Sequence, residues 1–143
     1  MDIVIDSNIL FSALIKDALT RKLILEYEGI FLFPSQIFIE FEKYKDELLI
    51  KSKMKVNEFN DLLKLLLEKV KIIPNEVLDN YSEESWKLIG EHSPEDIMFI
   101  ACCLSCKDSI LWSDDKNLKR QNKVKVLNTQ EIIIIIENNK FSI

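Results

Sequence analysis

Apolar residues along this chain fall into two kinds of block. Short runs at 2–5, 30–33, 70–73, 110–112 and 124–127 have the length of strands. Between them lie longer stretches in which apolar residues return every three or four positions. The clearest is 57–69, where Phe59, Leu62, Leu63, Leu66 and Leu67 keep helical spacing. Helices are likewise expected from about Ile9, over 19–27, 36–51 and 83–90, and from Pro94 through a strongly apolar stretch at 97–106. Pro74 stops the third strand. Strands alternating with helices imply an α/β fold with a largely parallel sheet between helical layers.

The end of the chain is ambiguous by pattern. Asn128-Thr129-Gln130-Glu131 has the form of a capping box opening a final helix. The five isoleucines at 132–136 that follow favour a buried strand instead. The start signal favours the helix.

Composition narrows the class. At 143 residues the chain is expected to be one domain, 1–143, with a single core. Two Gly and three Pro argue against a sandwich of many tight turns and against disordered linkers. No apolar stretch approaches the ~18 residues of a membrane span. The first residues lack the basic segment and apolar core of a secretory signal, so a cytoplasmic location is expected. Cys102, Cys103 and Cys106 lie on one apolar helix, and His92 is the sole histidine. A zinc site therefore has no evident fourth ligand, and buried reduced thiols are expected.

Candidate chemistry lies where strands end. Ligands of open α/β sheets sit outside the carboxyl ends of the strands. The first strand runs directly into Asp6, Ser7 and Asn8; the fourth ends at Ser113, Asp114 and Asp115. Asp96 opens the helix behind Ser93-Pro94-Glu95, and Glu40 lies among Ile37, Phe38, Ile39 and Phe41. Each has an ordinary explanation, because Asp and Ser cap helices and acids favour the first turn. Their recurrence is what suggests chemistry. Several carboxylates in one cleft would repel one another and raise each other's pKa. A divalent cation removes that penalty, and Mg2+ or Mn2+ prefers such oxygen ligands to His or Cys.

These residues resemble the PIN domain family. The resemblance rests on Asp6 after the first strand, Glu40 six residues after Pro34, Asp96 five before Ala101, and Ser113-x-Asp115 after a late strand. Trp112-Ser113-Asp114-Asp115-Lys116 and the Pro34-Ser35 start of the Glu40 helix are most similar to small single-domain prokaryotic members. The resemblance implies a three-layer α/β/α sandwich around a central, mostly parallel sheet. It further implies a metal-dependent ribonuclease, often the toxin of a toxin–antitoxin pair, using metal-activated water and leaving a 5′-phosphate and a 3′-hydroxyl. Asp6, Asp96 and Asp115 would hold Mg2+ or Mn2+, and Glu40 would hold a water or complete a second metal site. Asn8 and Ser113 would orient the carboxylates. Asp114 competes with Asp115 for the cleft, the family spacing favouring Asp115; Glu42 and Glu95 are weaker rivals of Glu40 and Asp96. An antitoxin and a homodimer are the expected protein partners.

Charge runs against an RNA substrate in bulk: the net charge is −5 and the pI about 5.0. Local basic supply exists at Lys116, Lys119, Arg120, Lys123 and Lys125, and beyond Glu40 at Lys43 and Lys45. These could grip phosphates or be a solvated loop and strand edge. Other classes fit less well. A receiver domain needs an acidic pair after its first strand and a late lysine; a haloacid dehalogenase-type phosphatase needs Asp-x-Asp where this chain has Asp6-Ser7-Asn8. A catalytically silent PIN-like interaction module remains the alternative.

Overall fold

A computed structural model describes residues 1–15 and 18–141. Five strands form one sheet: β1 (Asp2–Ile5), β2 (Phe31–Pro34), β3 (Val70–Ile73), β4 (Ser109–Trp112) and β5 (Val126–Leu127). All neighbours pair in parallel, in the order β3-β2-β1-β4-β5. β1 is thus central, flanked by β2 and β4, and its carboxyl end opens at the middle of one sheet edge. That is the switch point at which the crossover direction reverses.

The helices are α1 (Ser7–Ile15), α2 (Ala18–Glu26), α3 (Ile37–Ser52), α4 (Val56–Leu67), α5 (Asn75–Leu78), α6 (Ser82–Ile89), α7 (Ile97–Ser105) and α8 (Thr129–Phe141). α7 packs on β1, β2 and β4, with α5 and α6 behind it. α1 contacts α2, α3 and α4, and α2 contacts α8. The result is the α/β/α sandwich expected. Parallel strands covered on both faces should be apolar throughout, and β2 is buried along its whole length. Phe33 meets Phe99 of α7 edge-on at 5.5 Å, and Phe31 lies 6.1 Å from Trp112 across the sheet.

The last element is helical. Asn128 Oδ1 accepts from the Glu131 N–H at 2.9 Å, and Glu131 Oε1 accepts from the Asn128 N–H at 3.1 Å. This reciprocal pair satisfies two donors that a strand start would not need. Ile132 and Ile136, one turn apart, are buried, while Ile134 is 59% exposed. A strand would have alternated at every second residue.

Several boundaries differ from the pattern. β5 begins at 126 rather than 124, because the Gln121 side chain takes up the backbone there. Its Oε1 accepts from Lys123 and Val124, and its Nε2 donates to the Leu118 and Val124 carbonyls. α5, a 3-10 turn at Asp79–Tyr81 and another at Lys116–Arg120 had no periodic signal, being too short to show one. α1 starts at Ser7, two residues early, since Asp6 itself is the cap.

Candidate active site

Asp6 stands where β1 passes into α1, and both elements use it. Its N–H donates to the Trp112 carbonyl at 3.2 Å, extending the ladder to β4. Its Oδ1 accepts from the Ile9 N–H at 3.0 Å, the geometry of an N-cap. Its Oδ2 accepts from the Ser113 hydroxyl at the end of β4. Ser113 Oγ in turn accepts from the Asp115 N–H at 3.1 Å. One hydroxyl therefore ties together the acids at the ends of two adjacent strands. Asp6 is only 5% exposed. Burial raises its carboxyl above the ordinary value, Ser113 and Ile9 oppose this, and the charges of Asp114 and Asp115 raise it further.

Asp96 closes a 3-10 turn, Pro94–Asp96, immediately before α7. Its N–H donates to the Ser93 carbonyl at 3.0 Å. Burial, then Glu95, Asp6, Asp115 and Glu40 in that order, pushes its carboxyl up to about 7. Acids from four separate places in the chain thus act on one carboxyl group. Glu40 lies in the first turn of α3. The Ser7 hydroxyl donates to its Oε2, and the Gln36 amide approaches its Oε1 at 3.4 Å.

Asp6, Glu40, Glu95 and Asp96 line one cleft of about 660 Å³, walled by α1, α3 and the start of α7. Asn8 also lines it, but the donor from this stretch that reaches a carboxylate is Ser7. Glu42 is exposed and is not part of the lining. Asp114 is turned to α8: both its oxygens accept from Thr129, at 2.8 Å from the N–H and 3.0 Å from the hydroxyl. Asp115 accepts from the Asn117 N–H at 2.9 Å. It lies outside the cleft lining, yet its charge acts on both Asp6 and Asp96, whereas that of Asp114 acts on Asp6.

The donor set is all oxygen, from carboxylates of which Asp6 and Asp96 are raised by burial and neighbouring acids, and this fits a hard dication. Among the described residues, no three His, Cys, Asp or Glu side chains stand close enough to hold an ion as placed. The oxygens of Asp6 and Glu40 are instead engaged by Ile9, Ser113, Ser7 and Gln36. The thiols are no rival. Cys102 and Cys103 are buried, and burial pushes Cys102 up to about 12 and Cys103 well above its usual value.

The basic residues separate. Lys119 pairs with Glu131 at 2.5 Å, and an Arg120 guanidinium nitrogen lies 3.2 Å from His92 Nδ1. Lys116 is exposed outside the cleft lining. Lys43 lines the cleft, and so does Lys51, which pairs with Glu47 at 2.7 Å. Lys51, Tyr44, Phe11 and Ser7 were not singled out from sequence. The missed signal was spacing: Tyr44, Leu48 and Lys51 follow Glu40 at helical intervals on one face of α3.

Ser113→Ala tests the bridging hydroxyl. The backbone bond from Ser113 N to the Leu127 carbonyl is independent of the side chain, so β4 and β5 should stay paired. The expected result is a roughly 10- to 100-fold weaker response to Mn2+ in a thermal titration, as for lost partners of metal ligands. An unchanged titration would remove Ser113 from the site.

The chain matches the PIN domain model over residues 4–135, a span that contains Asp6, Glu40, Asp96, Ser113 and Asp115. It belongs to the PIN domain family, whose members are generally nucleases. Its fold is similar to a chain in the crystal structure of VapBC2 from Rickettsia felis bound to a DNA fragment from their promoter. The TM-score is 0.63 at 14% identity, over 90% of this chain and 98% of that one. No curated protein matches the sequence. Among the described residues no helix is long and apolar enough to cross a membrane.

Proposed function

We propose that this protein is a Mg2+- or Mn2+-dependent ribonuclease that hydrolyses RNA phosphodiester bonds, and that it acts as the toxin of a toxin–antitoxin pair. The observation that carries this reading is the convergence of acids on Asp96, whose carboxyl is raised to about 7 by burial and by Glu95, Asp6, Asp115 and Glu40. Such a cluster is a poor structural device without a cation to neutralise it. When bound, the ion supplies charge relief at the phosphate and lowers the pKa of water at the site.

The chain's own residues divide the remaining work. Asp6, Asp96 and Asp115 would hold the ion directly or through water. Ser113 keeps Asp6 and Asp115 aligned, and Asp114 anchors α8 through Thr129. Glu40, fixed by Ser7 and Gln36, would orient a water at the ion or complete a second metal site. Lys43, on the cleft wall, meets a neighbouring phosphate. Likeness in fold to a chain of VapBC2, solved on promoter DNA, fits a role beside an antitoxin; a homodimer and a cytoplasmic location belong to the same reading.

The test is incubation of end-labelled RNA with the protein and Mn2+. Cleavage that EDTA stops, leaving 5′-phosphate and 3′-hydroxyl ends, is the expected outcome. No cleavage with either Mg2+ or Mn2+, and no thermal shift, would favour a silent interaction module.

A further inference from the structure

We propose that the outer half of the cleft is a base-stacking subsite for single-stranded RNA, with the Tyr44 ring as its platform. This rests on the ribonuclease reading and adds a residue that reads the form of the substrate. The cleft has two chemically distinct ends. Its inner end carries the carboxylates of Asp6, Glu40, Glu95 and Asp96; its outer end carries Lys43, Tyr44, Glu47 and Lys51, with one more cation than anion.

The outer end pairs that charge with a partly exposed aromatic ring. Tyr44 is 38% exposed. Phe11 of α1 props it from below, edge-on with ring centroids 6.1 Å apart, and is itself packed against the core. Lys43 Nζ lies over the Tyr44 ring, 5.2 Å from its centroid, so a phosphate that draws this cation aside bares the face on which a base would stack. Proteins that take up single strands combine these two elements, a cation for the backbone and an aromatic ring for the base.

Spacing along α3 fits the same ligand. Tyr44 is one turn beyond Glu40, about 6 Å along the axis at ~1.5 Å per residue. That distance spans one to two nucleotides at a stacked rise of ~3.4 Å. A phosphate at the acids therefore brings an adjacent base to Tyr44, and Lys51 lies two further turns along the same wall. A duplex offers no such base, because each face is already stacked within the helix.

The experiment measures binding of a fluorescein-labelled single-stranded RNA of about ten nucleotides to the full chain by anisotropy, with Ca2+ present, beside the same sequence as a duplex. Wild type should prefer the single strand. Tyr44→Ala should weaken that binding roughly 5- to 150-fold, the effect of one lost base stack, while Tyr44→Phe retains it. The Mn2+-induced thermal shift should be the same in all three proteins, which separates a lost subsite from a damaged metal centre. Equal binding by Tyr44→Ala, equal losses in both variants, or equal affinity for duplex each overturns the proposal. Any of these alongside metal-dependent RNA cleavage by wild type leaves the ribonuclease reading standing. If wild type neither cleaves nor binds RNA, that reading fails first and the subsite falls with it.

Discussion

Asp6→Asn is expected to lower RNA cleavage by about three orders of magnitude while leaving the metal-free protein at least as stable as wild type. The two halves of this result come from two jobs done by one side chain. As a cap, Asp6 needs only an oxygen for the Ile9 N–H, and Asn caps as well as Asp. The new amide can donate to Ser113 Oγ, which has a free lone pair after accepting from Asp115. The bond to Ser113 is thereby reversed rather than lost, and the buried charge that no longer faces Asp114 and Asp115 offsets the Ser113 proton left without its acceptor. As a metal ligand, Asp6 supplies a negative oxygen that Asn lacks. Metal charge stabilisation of a phosphoryl transition state amounts to several kcal/mol; losing ~4 kcal/mol of it is about 10³ in rate. Cleavage assays and melting curves on one preparation separate the effects. Asp6→Asn that melts lower than wild type without metal, yet still cleaves, would invert the assignment.

The second large effect is a dependence of metal-free stability on pH, opposite to that of most carboxylates. Asp96 is raised to about 7 in the fold from an ordinary value of 3.8, and Asp6 is raised as well. Between those values the native state binds more protons than the unfolded chain, so stability falls as pH rises. The contribution is fully present below about 4 and is lost as pH climbs through 7. Mg2+ or Mn2+ should reverse the trend, since it takes the place of the protons and binds more tightly as they leave. At a hundredfold excess over its dissociation constant, a ligand stabilises by about 2.7 kcal/mol. For a chain of this size that raises the melting temperature by roughly 5–10 °C. Melting curves from pH 4 to 8, with and without Mn2+, should therefore diverge upward in pH. Asp96→Asn should flatten the metal-free curve and bring the pair together. Parallel curves at all pH values would mean that Asp96 does not titrate against the metal.

Much of this was legible in the sequence, and the reasons are local. The strands at the sheet centre are short apolar blocks ended by Asp6 and Ser113, and block length alone distinguishes them from helices. The capping box at Asn128 and Glu131 outweighed the strand preference of five isoleucines because it satisfies backbone donors. Where local cues were absent, the pattern failed. Nothing in the run at 124–125 announces that Gln121 takes its hydrogen bonds. The 3-10 turn that carries Lys119 and Arg120 places them against Glu131 and His92, so two cations of a basic run in sequence are already engaged by neighbours.

The primary structure alone determined the class of fold, the order of its elements and which acids end up at strand ends, since these follow from periodicity and from the turns that stop each block. Only tertiary structure decided how the acids relate to one another. Pairing of β1 with both β2 and β4 sets Asp6 beside Ser113, and packing of α3 and α7 around that edge brings in Glu40 and Asp96. Packing likewise turned Asp114 to α8 and aligned Tyr44 with Phe11. Distances between remote residues are set by how layers stack, and no short stretch of sequence encodes that.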